Sequence, residues 1–291
     1  MQRIILPHIA LFFANTIYAI NYLFAKDVMP DYITPTGFIL LRVFGASLIF
    51  FTIHSFFIKE KIKKTDLLYI ILCAIFGVVI NMLCFFEGLN ITTPINASLI
   101  MITTPLIVYL ISCVLEKKER TVKRFIGVLC GLFGAGFLIT NGSFSLIINI
   151  GDLLIFFNAV SYALYLILIK SMMRKYHPIT VLKTIFLVGF IIIFPIAFSD
   201  VADVNFSLMP IDIILKMLFV IIFTTCVAYF FNIYAISRLR PSTVAFYIYL
   251  QPLLATVFSI LFGKDVLTVI KIISALFIFI GVYFVIKREK I

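Results

Sequence analysis

The 291-residue chain is 63% hydrophobic and only 13% charged, with net charge +11 and mean hydropathy +1.20. Soluble domains carry about 25% charged and about 45–50% apolar residues, so this balance excludes a water-soluble globular protein. The positive charge does not read as nucleic-acid binding, because the basic residues sit in short clusters between apolar runs, where they act as orientation signals.

A bilayer-spanning helix needs about 20 mostly apolar residues. The sequence offers ten such runs, at 7–25, 34–57, 66–87, 92–115, 122–140, 151–170, 180–198, 212–236, 241–262 and 266–286. The first has the length of a signal peptide but lacks a small-residue cleavage site and carries polar residues in its middle, so it is kept as a span. It places Asn15, Tyr18 and Tyr22 at i, i+3, i+7 spacing, with Asn21 beside them. The second run contains FILLRVFGASLIF, in which Arg42 lies about 12 Å below the helix start at 1.5 Å per residue. A charge at that depth costs about 2.5–3.5 kcal/mol on insertion scales. Its partner could be Glu87, backbone carbonyls near a helix end, or an anionic group of a substrate; a structural tie to Glu87 or backbone is the preferred reading.

The third span carries Asn81 with Gly77 and Gly88 and leads to Glu87, the carboxylate best placed to couple a proton; exchange without an ion is equally open. Asn96, Thr103 and the kinking Pro105 lie in the fourth. Gly127 and Gly131 give the fifth a small-xxx-small packing face and a weak indication of a homodimer contact. The sixth has the stripe Asn158, Ser161, Tyr162, Tyr165; the eighth has Thr225, Tyr229, Asn232; the ninth has Thr243, Tyr247, Gln251 and Pro252. Spans seven and ten are nearly apolar, with Lys183 and Lys271 near their ends, and read as lipid-facing periphery.

Loops between the spans are short and alternate in charge. Lys59, Lys61, Lys63, Lys64, Lys117, Lys118, Arg120, Lys123, Arg124, Lys170, Arg174, Lys175, Arg238, Arg240, Lys287, Arg288, Lys290 and Arg3 fall on one side. Asp27, Asp31, Asp152, Asp200 and Asp203 fall on the other, with Lys26 and Lys264 as its main basic residues. Both termini are therefore expected in the cytoplasm of a multi-pass inner-membrane protein.

The two halves resemble each other. A shift of 147 lays TPINASLIMITTPL over RPSTVAFYIYLQPL, matching Pro94 with Pro241, Pro105 with Pro252 and, further on, Gly134 with Gly281. A shift of 144 matches Tyr18 with Tyr162, Lys26 with Lys170 and Gly45 with Gly189. The expected fold is an all-α integral membrane protein of ten transmembrane helices, built as two inverted five-helix repeats at 1–143 and 144–291 of one membrane domain. Inverted repeats place a substrate site near the midplane and support alternating access. The stripes pair under the repeat, one with six, three with eight and four with nine, which favours a shared cavity over packing alone. Candidate substrate-binding residues are Asn15, Tyr18, Asn21, Asn81, Asn96, Thr103, Asn158, Tyr162, Tyr165, Asn232, Tyr247 and Gln251; Arg42, Glu87, Pro105 and Pro252 are structural or coupling candidates.

The five cysteines all lie inside apolar runs without a CxxC pair, and the three histidines are isolated, so no metal, cofactor or catalytic centre is expected. The partners expected are a small-molecule substrate and the lipid bilayer, with no nucleic acid and a possible homodimer. The reading is a secondary transporter of small metabolites, amino acids or related amphipathic compounds, working by alternating access in the export direction. A broad drug or amphipath efflux pump of the same fold, or a non-transporting structural membrane protein, is the alternative.

Four segments, YAINYLFAK, FILLRVFGASLIF, GLNITTPINASLIMITTPL and AISRLRPSTVAFYIYLQPL, resemble the drug/metabolite transporter superfamily, in its ten-helix EamA-type branch. The resemblance spans about the whole chain; each motif is degenerate, and specificity lies in their order and in the repeat. It implies movement of small metabolites, amino acids or amphipathic drugs across a bacterial-type inner membrane. This chain departs from the pattern in having no tryptophan and in placing Glu87 where a small residue is common.

Overall fold

Among the residues described by the computed structural model (2–115, 120–140, 149–261 and 268–286), all regular secondary structure is helical and forms ten spans. They are α1 (Gln2–Val28), α2 (Pro35–Phe57), α3 (Lys64–Ile91), α4 (Pro94–Leu115), α5 (Val122–Ile139), α6 (Ile150–Met172), α7 (Pro178–Ala202), α8 (Ile211–Arg238), α9 (from Pro241 to Leu261) and α10 (Val269–Ile286). Eight of them are long and apolar enough to cross a membrane by length and composition alone. The ninth is interrupted and the tenth is shorter. Lys117, Lys118, Lys264, Lys287, Arg288, Lys290, the Arg3 side chain and the 143/144 repeat boundary lie outside the described residues.

The starts of the helices follow local chemistry. Proline occupies the first turn of α2, α4, α7 and α9, where its missing N–H would have had no partner. Thr34, Thr93 and Thr121 cap α2, α4 and α5 by accepting the backbone N–H three residues on. Asn149 and Asp152 complete a reciprocal capping box on α6.

Two pairs of spans depart from regular α geometry at equivalent places. Residues Ile75–Val79 of α3 and Val220–Val227 of α8 are π-helical, and the shift of 147 brings the first inside the second. In α4 the helix stops at Met101 and restarts at Thr104; in α9 a 3₁₀ turn, Tyr247–Tyr249, fills the same place. The cause is Pro105 and Pro252, which withhold a donor from the carbonyls of Met101 and Ile248 four residues earlier. The kink expected from the sequence is thus a break one turn before each proline.

Packing repeats with the same symmetry. The main pairs are α5 with α10, α2 with α7, α3 with α6, α1 with α8, α4 with α6 and α1 with α9. Exchanging the halves turns α3–α6 into α8–α1 and α4–α6 into α9–α1, and leaves α2–α7 and α5–α10 unchanged. Because each half has five spans, the second enters from the opposite side, and the repeats are inverted. The α2–α7 and α5–α10 pairs stand at the flanks, with Ile191, Phe194, Leu276 and Phe279 exposed to the surroundings.

The glycine face of α5 is used inside the chain. A Cβ on Gly281 of α10 would stand 2.6 Å from the Gly127 carbonyl oxygen, and one on Gly134 would stand 2.7 Å from Cβ of Phe277. This close approach occupies the surface that the sequence weakly suggested for a dimer.

Two lysines hold the symmetry together. Lys26 Nζ donates to the carbonyls of Leu89, Asn90 and Thr92 at 2.9, 2.8 and 3.3 Å, capping the end of α3. Lys170, its match in the repeat, donates to Ile236 and Leu239 at 2.6 and 2.8 Å, capping the end of α8. Leu89 and Ile236 are related by the shift of 147, as are Thr92 and Leu239. This cap explains why α3 continues past the expected end at residue 87 to Ile91: its last carbonyls have a cation to satisfy them.

The connections are tied on both faces. On one, Lys175 pairs with Asp66 at 2.7 Å, and Tyr176 donates to the same carboxylate at 2.8 Å. The bond to Asp66 holds the Lys175 ammonium above its usual range. On the other face, Asp200 accepts from Thr34 and Thr36, and Lys216 pairs with Asp27 at 2.7 Å.

Replacing Lys26 or Lys170 by Met removes charge-assisted hydrogen bonds worth about 1.5–3 kcal/mol each. Both variants should unfold at lower temperature in detergent, by similar amounts, because the two sites are one site repeated. An unchanged midpoint in either would show that its ammonium caps nothing.

Candidate functional site

Residues of α3 beyond its π-helical turn, the π-helical stretch of α8 and residues beside the breaks of α4 and α9 line, with α1, α2 and α6, a cavity of about 80 Å³. Hydrogen bonds organise its wall. Asn15 donates to the Leu11 carbonyl at 2.8 Å, and its Oδ1 accepts from Gln251 Nε2 at 2.8 Å. Asn232 donates to Tyr18 Oη at 3.1 Å and to the Ala228 carbonyl at 2.9 Å. The π-helical turn of α3 exposes carbonyls that a regular helix would hide. Ser161 donates to Phe76 O at 2.7 Å and Tyr229 to Gly77 O at 3.0 Å; just beyond it, Asn158 donates to Asn81 O at 2.6 Å.

The repeat is visible in the lining itself. Tyr18 faces Tyr162, and the pairs Met82 with Tyr229, Phe85 with Asn232 and Met101 with Ile248 are repeat-equivalent positions that all border the cavity. The two residues whose carbonyls lose a donor to proline, Met101 and Ile248, are among them.

Arg42 is 3% exposed and borders this cavity. Its Nε donates to Thr225 Oγ1 at 2.9 Å, and the guanidinium carbon lies 4.3 Å from the centre of the Phe86 ring. Thr225 in turn donates to the Val220 carbonyl at 3.0 Å within the π-helical stretch of α8. The expected tie to Glu87 is absent: Glu87 is half-buried, does not border the cavity and makes no ion pair with Arg42. The neighbouring residue, Phe86, meets the guanidinium through its π face instead. Nη1 of Arg42, Oδ1 of Asn21 and Asn158 and Oγ1 of Thr224 are buried without a protein hydrogen-bond partner. All four side chains belong to the cavity wall, which carries no carboxylate among the described residues.

Of the substrate-binding candidates read from the sequence, Asn15, Tyr18, Asn21, Asn81, Asn158, Tyr162, Asn232 and Gln251 meet at this cavity. Asn96 and Thr103 do not. They line a separate, largely apolar cleft of about 700 Å³ between α4, α5 and α6, because Asn96, Ile100 and Thr103 share the face of α4 turned away from Met101 and the cavity. Tyr165 is 1% exposed and fills the space beside Gly77, so it packs α6 on α3. Tyr247 bonds His8 at 2.7 Å, closing α9 on α1 away from the cavity.

Thr224 was missed in favour of its neighbour Thr225, since the π-helical register turns the face that regular helical spacing assigns. Met82, Phe85, Phe86, Met101, Val244 and Ile248 give no contrast in a sequence this apolar.

Gly77 is the point where the third span must be bare. A Cβ there would fall 2.2 Å from the Tyr165 ring. Gly77→Ala should cost about 1–3 kcal/mol through overpacking. Adding Tyr165→Ala should restore part of the loss, read as a non-additive double-mutant cycle of unfolding midpoints. Strict additivity would mean that the two residues do not touch.

Known proteins agree with this architecture. The model of the EamA-like transporter family matches residues 5–140 and again 149–287. The chain is 27% identical to an uncharacterized transporter, YyaM, of Bacillus subtilis (strain 168), over 77% of this chain and 74% of that one. An uncharacterized transporter of Archaeoglobus fulgidus is 22% identical over 89% of this chain and 91% of its own length. A solved crystal structure, described only as that of a protein, superposes with a TM-score of 0.75 over 96% of both chains at 16% identity, a likeness of fold alone. With the family model covering both halves in turn, the chain belongs to the EamA-like transporter family.

Proposed function

We infer that this transporter moves small metabolites, amino acids or related compounds across the inner membrane by alternating access, in the export direction. The observation that carries the reading is a polar cavity built from both inverted halves, in which several hydrogen-bonding groups have no partner in the protein. Buried polar groups without partners are rare in proteins, and in a membrane span they mark a substrate path. The cavity is small and its amides are fixed by hydrogen bonds to backbone, which favours a selective carrier over a broad amphipath pump.

Rocking of the halves has an obvious place to act. The α1–α9 contact is clasped by His8–Tyr247 and Asn15–Gln251. The repeat puts Asp152, Ile100, Ala159 and Thr104 at the matching positions of α6 and α4, so the second contact lacks that clasp and is tied at its end by Thr92, which donates to the Asp152 carboxylate. The two contacts are then free to open in alternation, one to each side.

The orientation follows the charges: Lys59, Lys61, Lys63, Arg174, Lys175, Arg238 and Arg240 lie on the cytoplasmic side with both termini, and Asp27, Asp31, Asp200 and Asp203 outside.

Single cysteines in a background freed of the five native ones test both statements. A cysteine replacing Lys61 should react with an impermeant thiol reagent only from the cytoplasm, and one replacing Asp203 only from outside. Cysteines at Asn21 and Asn158 should react in the active protein and be protected by a transported solute, whereas one at Tyr165 should stay inert. Inert cysteines at Asn21 and Asn158 from both sides would reduce the cavity to packing. Reconstituted vesicles that fail to exchange any of a broad panel of labelled amino acids and amphipathic amines would remove the transport reading itself.

A further inference from the structure

Arg42 is a buried cation whose protein contacts are all neutral: a threonine hydroxyl and the face of a phenylalanine. No carboxylate lies within ion-pair distance of it, and none lines the cavity among the described residues. Its Nη1 has no partner. A buried charge in a protein is normally paired. Among the described residues no charged group pairs with the guanidinium, so a pairing charge from outside the chain fits the site.

Resting on the carrier reading, we propose that Arg42 is the anion anchor of the cavity and that the transported solute carries a carboxylate set against its guanidinium. The geometry suits this. The guanidinium is planar and its donors diverge as a fork that matches a carboxylate in two parallel bonds; Thr225 and Phe86 hold its Nε edge and its face, leaving an Nη donor for the solute. Oδ1 of Asn21 and of Asn158 are acceptors without partners, so a hydroxyl or amino group elsewhere on the solute finds a place. Met82, Phe85 and Met101 supply the apolar remainder of the wall.

The same inventory rejects organic cations. With no acid in the wall, an ammonium or quaternary head would meet Arg42 at close range in a medium of low dielectric constant. Size sets a further limit. At about 10–15 Å³ of this kind of volume per water, a cavity of about 80 Å³ holds a solute of roughly half a dozen heavy atoms before the halves part. The class is therefore a small hydroxy- or amino-substituted organic acid.

Two charge-matched sets test this on purified full-length protein: lactate, lactamide and 1-amino-2-propanol, then glycolate, glycolamide and ethanolamine. Binding is read by thermal stabilisation and movement by uptake into vesicles. The carboxylate of at least one set should bind roughly tenfold to a hundredfold more tightly than its amide, the difference expected of a charge-assisted hydrogen bond. Arg42→Gln should abolish the preference for that carboxylate over its amide. Arg42→Lys, which keeps the charge and loses the fork, should fall between. Chloride is the control for an inorganic anion, and stabilisation by chloride equal to that by the carboxylate would overturn the assignment. So would amides or amines binding as well as acids, a carboxylate preference that survives Arg42→Gln, or no carboxylate binding to folded protein. Uptake of the amide or the amine without the acid would leave the carrier reading standing and remove the anchor. No uptake of any solute, in these sets or the broader panel, would remove both.

Discussion

In a bilayer core a polar group has no water to fall back on, and every backbone or side-chain donor and acceptor must be met inside the protein. The architecture of this chain can be read as a series of answers to that constraint. The carbonyls left over at the ends of α3 and α8 are met by Lys26 and Lys170. Those laid bare in and just past the π-helical turn of α3 are met by Ser161, Tyr229 and Asn158. Four of the buried groups left unmet, on Asn21, Arg42, Asn158 and Thr224, border the hollow between the two inverted halves.

Symmetry explains why that place exists. A duplicated five-span unit inserted in both senses puts each interruption of the first half opposite its copy in the second. The π segments of α3 and α8 and the proline breaks of α4 and α9 therefore recur at equivalent places in the two halves. Symmetry is also where the two halves part ways. Arg42 has Phe186 as its repeat counterpart, and Phe186 packs against Tyr229 and Phe50 as an ordinary apolar residue. A single cation therefore stands on one side of the cavity wall with no charged counterpart on the other, and this gives the cavity a polarity that the backbone alone would not.

Much of this was legible in the sequence because membrane spans announce themselves. Apolar length marks the ten spans, and the match of Lys26 with Lys170 marks the repeat. The polar stripe of α1, and Asn158 and Tyr162 of α6, border the cavity, since regular helical spacing holds there. Elsewhere the spacing misled: the π-helical register of α8 exchanged Thr224 for Thr225 at the cavity, and the face of α4 that carries Asn96 and Thr103 turns to another cleft. The partner of Arg42 could not be read at all. Thr225 lies in the other half of the chain, and a buried cation held by a hydroxyl and a ring leaves no charge pattern to find.

The central claim is that two halves rock about a shared polar centre, opening the α1–α9 contact and the α4–α6 contact by turns. Distances between spin labels report this most directly, with one pair at Ile5 and Arg240 and a second at Ile95 and Ile150, in lipid nanodiscs. Alternating access predicts two distance populations for each pair, shifting in opposite senses when a transported solute is added. A single distribution at both pairs, unmoved by a solute that the protein demonstrably carries, would contradict it.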